Sequence, residues 1–447
     1  GAADGQQLNN PFGIMTRLHS GSFDSTGGCR YMQLARDLVG EWGYVRQSVD
    51  TATMDMRTVK KILIICRAKH LIPIATGGKL PPQYTAGRYP KRDADGTYRT
   101  AVQWLARWLA NLRNDGFKLP FFELGNEVNL YWEAADYARW LLDVAQALKA
   151  VDPEIKVMTA GMAGSGWKFI DQMLQAQPRL KAWVDIWAIH PYGANHPPSY
   201  NQDDTTLRGF EWTLRILNKH GIHAPLVFTE TGYELGCALD RRYPPITEEL
   251  RARYMVEAFQ KYWRPHPRIL AVTPFELWDI NWNGWSGWDW IRSDGTKTPV
   301  YKAIAALKKP QGRDYLPIGN CSVRGRIVDE EYGIGVPHVL VWLQPGPYAA
   351  ESDGNGWFNI TNVPAGEYQI SALRDGFLIT RAGANGVLKV VRNGMPFEWY
   401  DRIILRNGES ARWDAQMRHV GLLIGTFEAG SGTGRIADGW QTATGEV

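Results

Sequence analysis

From Pro11 to about Lys309, short apolar runs alternate with stretches whose apolar positions recur every three or four residues. Eight runs read as strands: Phe12–Thr16, Tyr44–Val49, Ile72–Thr76, Phe121–Gly125, Lys156–Ala160, Ile186–His190, Leu226–Thr229 and Ile269–Phe275. Runs that are apolar throughout belong to strands buried on both faces, as in parallel sheets covered by helices. Between them, Ala101–Leu112 sets Trp104, Leu105, Trp108, Leu109 and Leu112 on one helical stripe. Tyr137–Leu148 does the same with Trp140, Leu141, Val144, Ala145 and Leu148. Asn114-Asp-Gly and Asp152-Pro153 punctuate helix ends. Eight strands alternating with helices predict an α/β chain: a closed (β/α)8 TIM barrel over residues 11–309.

After Lys309 the texture changes. Pro310-Gln-Gly-Arg-Asp-Tyr-Leu-Pro317 reads as a linker, placed at residues 310–319. Beyond it, Val323–Val328, Val336–Leu343, Trp357–Ile360, Tyr368–Leu373 and Arg402–Leu405 are short and separated by Gly, Pro, Asn and Asp turns. That pattern predicts a small all-β sandwich domain over residues 320–417. Residues 418–447, with Gly421-Leu-Leu-Ile-Gly-Thr-Phe427-Glu428, are too few to fold alone and read as the start of a further β module or an ordered tail.

Composition narrows the function classes. Hydrophobic residues make up 44% and charged residues 21%, as in globular chains. The net charge is only +4 and the basic residues are scattered, so nothing favours nucleic acid or an anionic membrane as partner. No apolar run approaches the ~20 residues of a spanning helix, so no membrane insertion is expected. The four cysteines lie far apart without a CxxC pair, which leaves disulfide pairing open. There is no HExxH or Cys/His cluster, and Gly430-Ser-Gly-Thr-Gly-Arg follows no convincing strand. Gly77-Gly-Lys79-Leu lacks the spacing and the Ser/Thr of a phosphate loop. Neither a metal nor a cofactor is therefore expected. Gly1-Ala-Ala-Asp-Gly has no leader character, so any secretion signal lies outside this chain.

Two predicted strands end on a glutamate where a loop begins: Phe121-Phe-Glu-Leu-Gly-Asn-Glu127 and Leu226-Val-Phe-Thr-Glu230. In barrels of parallel strands the chemistry sits at the strands' C-terminal ends. Two carboxylates delivered to one rim are what hydrolysis of a glycosidic bond requires. Alternation along each strand groups Glu123, Gly125 and Glu127; Leu226, Phe228 and Glu230; Ile186, Ala188, His190 and Tyr192; Tyr44 and Arg46; and Glu276 and Trp278. Each strand thereby offers a polar or aromatic group near its end. Arg46 reads either as an internal partner of Glu123 or as a cation beside Glu230. His190 reads either as a satisfied core histidine or as a member of the reacting network. Arg17 and His19, at the end of the first strand, are candidate substrate contacts. Glu276, Glu234 and Asp279 read as structural or loop residues.

The ordered set Gly125-Asn126-Glu127, His190-Pro191-Tyr192, Thr229-Glu230 and Trp278 resembles the clan A glycoside hydrolases over roughly residues 11–309. Within the clan it is most similar to family 39, with the family 5 endoglycanases next. The resemblance implies Glu127 as general acid/base and Glu230 as nucleophile of a retaining β-glycosidase, with an oligo- or polysaccharide as substrate. Retaining enzymes hold the two carboxyl groups about 5–5.5 Å apart, so one of the pair carries the proton and the other the charge. Asn126 would bond the sugar 2-hydroxyl, Tyr192 and Arg46 would hold Glu230 ionised, and Trp278 would form the floor under the sugar. Secretion and polysaccharide breakdown follow from the same likeness. The rival expectation is a carbohydrate-binding protein on a barrel without turnover.

Twenty tryptophans are unusual, and their places differ. Trp104, Trp108 and Trp140 fall on helix stripes. Trp278-Asp-Ile-Asn-Trp282-Asn-Gly-Trp285-Ser-Gly-Trp288-Asp-Trp290 lies in a Gly/Asn-rich loop after the eighth strand. Flat aromatic faces bind the C–H faces of sugars, so Trp282 and Trp285, with Trp132 just beyond Glu127, read as cleft walls, the alternative being a self-packed loop cluster. Val323-Arg-Gly-Arg-Ile-Val-Asp, Gly335-Val-Pro-His-Val-Leu-Val, Asp353-Gly-Asn-Gly-Trp-Phe and Val363-Pro-Ala-Gly-Glu-Tyr resemble the carboxypeptidase regulatory-like, transthyretin-type sandwich, which implies a non-catalytic spacer. The last stretch resembles the opening of another carbohydrate-associated module.

Overall fold

The computed structural model describes residues 10–18, 26–279, 283–383 and 401–419. His19, Trp282 and most of the 418–447 stretch lie outside them. The first strands are β1 (Gly13–Thr16), β2 (Gly43–Ser48) and β3 (Leu71–Gly77), followed by a small hairpin, β4 (Thr85–Ala86) and β5 (Tyr89–Pro90). Then come β6 (Phe121–Asn126), β7 (Lys156–Ala163), β8 (Trp187–His190), β9 (Leu226–Phe228) and β10 (Ile269–Val272). The hairpin apart, these eight strands pair in chain order, β1-β2-β3-β6-β7-β8-β9-β10. A parallel bridge from Phe12 to Val272 and a hydrogen bond from Met15 N to Pro274 O bring the first strand to the last. The chain is a (β/α)8 barrel, as its pattern predicts.

Helices follow each barrel strand: α1 (Cys29–Val39), α2 (Met56–Ala68), α3 (Arg99–Asn114), α4 (Ala134–Val151), α5 (Trp167–Ala176), α6 (Phe210–Lys219), α7 (Glu248–Glu257) and α8 (Pro299–Ala305). Their starts are capped where the sequence supplies a side-chain acceptor. Asp55 accepts from Thr58 N, Thr247 from Leu250 N and Thr298 from Tyr301 N. Each such cap contributes about 1 kcal/mol. The helices close one apolar shell around the strands, in which Trp108 and Trp140 are buried. A second cluster fills the barrel itself, with Tyr44, Ile72, Ile74, Met158, Ala188, Val227 and Ala271 among its members.

That inner cluster corrects the alternation on β9. Val227 points into the barrel, whereas Leu226 and Phe228 join the helix-facing shell. Glu230 therefore does not share their face. The strand ends at Phe228, and the chain bends before the glutamate, which frees it from the two-residue period.

Beyond the barrel, nine strands among the described residues form two sheets: β11 (Cys321–Asp329), β12 (Leu340–Gln344), β13 (Tyr348–Glu351), β14 (Trp357–Val363), β15 (Gly366–Leu373), β16 (Phe377–Ala382), β17 (Asp401–Leu405), β18 (Ser410–Arg412) and β19 (Ala415–His419). One runs β14-β11-β19-β16 with β18 beside β11; the other runs β13-β12-β15-β17. Val323, Ile327, Val341, Phe358, Ile370 and Trp413 pack between them. The strand expected from Val336 starts only at Leu340, after Pro337 and a left-handed His338. The 310–319 stretch carries no helix or strand, yet it is held: buried Asp314 pairs with Arg67 at 2.7 Å and Leu316 enters the sandwich core. Leu340, Trp342 and Ala349 join the barrel's outer shell against α2, and Lys61 reaches Asp375 at 2.5 Å. All four cysteines are free thiols.

Candidate active site

At the C-terminal ends of the barrel strands lies a cleft of about 1230 Å³. Its base is organised by Arg46 on β2, whose side chain is only 2% exposed. Its Nε donates to Glu123 at 2.7 Å, Nη1 to Glu230 at 2.6 Å and Nη2 to Asn126 Oδ1 at 2.8 Å. Both expectations for Arg46 are thus met at once, because a guanidinium offers its donors in a planar fork. Glu123 is fully buried and also accepts from Thr76 and from Gly161 N at 3.0 Å.

Glu230 receives a second donor, the Tyr192 hydroxyl, at 2.7 Å. Burial pushes the Glu230 carboxyl up, but the electrostatic influence of His190 and Arg46 and the bonds from Tyr192 and Arg46 outweigh it, and its pKa is lowered. Burial and the adjoining Glu230 charge hold the Tyr192 pKa well above the ordinary phenol, so the hydroxyl stays a donor. Burial works against the Arg46 charge, yet Glu123 and Glu230 push its pKa above the ordinary value.

Glu127 sits one residue beyond β6, in a left-handed conformation with φ of 47°. Gly125, with φ of 108°, precedes it. These two turns break the strand alternation, so that Asn126 and Glu127 both reach the cleft although they are neighbours. The Glu127 side chain is 30% exposed against 12% for Glu230. Fully buried His190 lies between them, its Nδ1 3.1 Å from Glu127 Oε1 and 3.6 Å from Glu230 Oε2. Its Nε2 faces Thr229 Oγ1 at 3.0 Å. Gly161 makes room for this ring: a Cβ there would stand 2.0 Å from His190 Nε2.

Donor atoms of Glu127, His190 and Glu230 all lie within 4.8 Å of one another, a spacing that could also ligate a metal ion. Both Glu230 oxygens already accept from Arg46 and Tyr192, however, and a dication would stand beside that guanidinium. The arrangement is better described as a carboxylate pair that carries its own internal cation.

The aromatic wall differs from its prediction. Trp132 and Trp285 line the cleft, joined by Phe275 and Trp288. Trp278 is not among the lining residues; it is half-buried, with its ring 6.5 Å from that of Tyr31 and packed on the barrel shell. The chain leaves β10 at Val272, so Phe275, not Trp278, reaches the mouth. Alternation could not find this, since it ends where the strand ends. Arg17 lines the cleft but is bound to buried Glu276. Burial raises the Glu276 pKa to about 8 and that of nearby Asp289 to about 6.

No family model matches the chain. Over 150 residues it is 27% identical to the probable alpha-L-arabinofuranosidase C of two Aspergillus fumigatus strains, across 28% of this chain and 30% of that protein. The aligned stretch thus spans less than a third of that relative. In structure the chain is similar to a family 39 glycoside hydrolase from the gut symbiont Bacteroides cellulosilyticus WH2. The TM-score is 0.53 at 15% identity, covering 89% of this chain and 81% of the other. A monomeric beta-xylosidase from Caulobacter crescentus CB15 gives 0.50 at 15% identity, over 83% and 75%. The fold is one that glycoside hydrolases use. At such identities the likeness is of architecture, and function must be argued from the site.

Proposed function

We propose that this chain is a retaining glycoside hydrolase that cleaves β-glycosidic bonds of an oligo- or polysaccharide by double displacement. One observation carries the reading: Glu127 and Glu230, from the ends of different barrel strands, hold carboxylate oxygens within 4.8 Å of each other in an open cleft. A pair about 5–5.5 Å apart suits attack by one carboxylate while the other protonates, whereas inversion needs about 6.5–9.5 Å to admit a water. Glu230, held ionised by Arg46 and Tyr192, attacks the anomeric carbon as Glu127 gives its proton to the leaving oxygen. In the second step a water attacks that carbon, Glu127 takes the water's proton, and the bond to Glu230 breaks.

Asn126 is oriented for its share. Its carbonyl is occupied by Arg46, which leaves its NH2 as the donor for a substrate hydroxyl. Trp132, Trp285 and Trp288 supply apolar faces, and the size and openness of the cleft support endo action on an extended chain. A polymer too large to enter a cell would be met outside it, so we place the protein as secreted, with the β-sandwich as a spacer of the carboxypeptidase regulatory-like kind. No helix among the described residues is long and apolar enough to cross a membrane.

The test is intact mass after incubation with 2-deoxy-2-fluoro-β-glycosyl fluorides and the corresponding α-L-arabinofuranosyl compound, followed by peptide mapping. A stable adduct on Glu230 is expected and names the sugar at the cleavage point. An adduct on another residue removes Glu230 as nucleophile; no adduct together with no polysaccharide turnover removes the hydrolase reading.

A further inference from the structure

A second cleft, of about 660 Å³, lies where the barrel meets the sandwich. Glu41, Trp42, Lys69 and His70 line its barrel side. They immediately precede β2 and β3, so this cleft opens at the end of the barrel opposite the carboxylate pair. Its sandwich side is built from β13, with Ala349, Ala350 and Glu351, and from β14, which presents Trp357, Asn359 and Thr361 outward while Phe358 and Ile360 turn into the core. Among the described residues two tryptophans are exposed: Trp285, at 39%, in the catalytic cleft, and Trp357, at 44%, in this one. Arg326 and Arg412 stand 5.7 and 5.8 Å from the Trp357 ring centroid and hold its orientation.

We propose that this junction cleft is a second, non-catalytic binding site for a neutral oligosaccharide segment, with Trp357 as its stacking platform. Charge argues for a neutral ligand. Three cations (Arg36, Arg67 and Lys69) line the cleft, and Arg326 and Arg412 stand beside its tryptophan. They face four carboxylates (Asp37, Glu41, Glu351 and Asp353), so neither sign dominates. Burial, followed by the neighbouring arginines, lowers the His70 pKa despite Glu41, which keeps the ring neutral near pH 7. Much of this charge is already paired, Lys69 with Glu351 and Arg67 with Asp314, while the neutral His70 ring lies 2.9 Å from Glu41. What remains for a ligand is one flat indole beside Arg36, Asn359, Thr361 and Asn362, groups that hydrogen-bond hydroxyls. A ligand that is apolar on its ring faces and hydroxylated around its edge matches both features. Because both domains line the cleft, an occupant would also bridge them and tether a long chain to the protein at the end of the barrel away from the carboxylate pair.

The site rests on the glycosidase reading only for the choice of polymer. The experiment is affinity electrophoresis of the full chain, made in a host that leaves the Asn359-Ile-Thr361 sequon unmodified. The gels contain arabinoxylan or hydroxyethylcellulose, with polygalacturonate as the acidic counterpart. The Glu230→Gln protein, which cannot consume the gel, is compared with the same protein carrying Trp357→Ala or Asn359→Ala. Retention in a neutral gel is expected, weakened about tenfold by Trp357→Ala and less by Asn359→Ala. In the active background, Trp357→Ala should leave kcat/KM on a short aryl glycoside unchanged, which reports an intact fold and catalytic cleft. Equal retention with and without Trp357, no retention in either neutral gel, or retention in polygalacturonate alone overturns the proposal. If the parent cleaves no aryl glycoside, the hydrolase reading suffers while the gel comparison still decides this site.

Discussion

Glu230 and Glu276 follow adjacent barrel strands, and both are largely withdrawn from solvent, yet their acidities are driven apart. Glu230 has a guanidinium on one oxygen and a phenol on the other, and its pKa is lowered despite burial. Glu276 is fully buried, has Arg17 as its cation and feels Asp279 and Asp289 nearby, and burial carries its pKa to about 8. Desolvation acts on both in the same direction. What separates them is the number and sign of the groups that meet the carboxylate. A buried acid stays ionised only where charge-assisted donors outweigh the cost of burial; otherwise it is held neutral.

The largest effect should come from removing the shared cation. Arg46→Met leaves Glu123 and Glu230 without their shared cation and is expected to cost about 3–5 kcal/mol of stability. It should also lower kcat/KM on the order of 10²–10³-fold. Arg46 keeps Glu230 ionised, so its loss raises the Glu230 pKa and moves the acid limb of the pH–rate profile to higher pH. An acid limb that stays in place would mean that Arg46 does not set the acidity of Glu230.

A smaller effect is expected at the other carboxylate. The folded pKa of Glu276, about 8, lies above its ordinary 4.5, so the native state holds a proton that the unfolded chain releases between those values. The stabilisation is complete below pH 4.5 and is lost as pH rises through about 8. Glu276→Gln keeps the neutral form at every pH. Its melting temperature should match the parent near pH 4.5 and exceed it increasingly towards pH 8. Parallel melting curves for parent and variant across that range would remove the assignment of Glu276 as a protonated group.

The smallest effects sharpen the distinction between the aromatic residues of the same loop. Trp285→Ala should raise KM by a few-fold to tenfold, equivalent to about 0.5–1.5 kcal/mol of stacking, with the melting temperature unchanged. Trp278→Ala should do the reverse, costing about 1–3 kcal/mol of stability with KM unchanged. Melting curves and Michaelis parameters of the two variants, measured side by side, decide this; a KM change in Trp278→Ala restores it to the cleft.

Much of this was legible without coordinates. The eight barrel strands lie where continuous apolar runs were read, because strands buried on both faces leave a local compositional signature. The sandwich was legible only in part. Tyr348–Glu351, Phe377–Ala382, Ser410–Arg412 and Ala415–His419 leave no such signature, since strands that are short or have one wet face carry mixed composition. Within the site, alternation placed Arg46 and His190 correctly on interior faces but failed for Glu230, Asn126 and Trp278. Each of those follows a strand end or a residue of positive φ, where the two-residue period no longer holds.

The sequence by itself determined the order of elements, the strand ends that bear Glu127 and Glu230, and the supply of tryptophans to the loop after the eighth strand. These are local properties, written in periodicity and residue type. Only the tertiary structure decided which carboxylate is ionised, which tryptophan faces the cleft, and that a second exposed tryptophan lines a cleft at the barrel's other end. Arg46 meets Glu123 and Glu230 across 77 and 184 residues of chain, and burial is set by the whole barrel around them. The field at a carboxylate sums contributions from groups distant in sequence, so it exists only once the fold has brought them together.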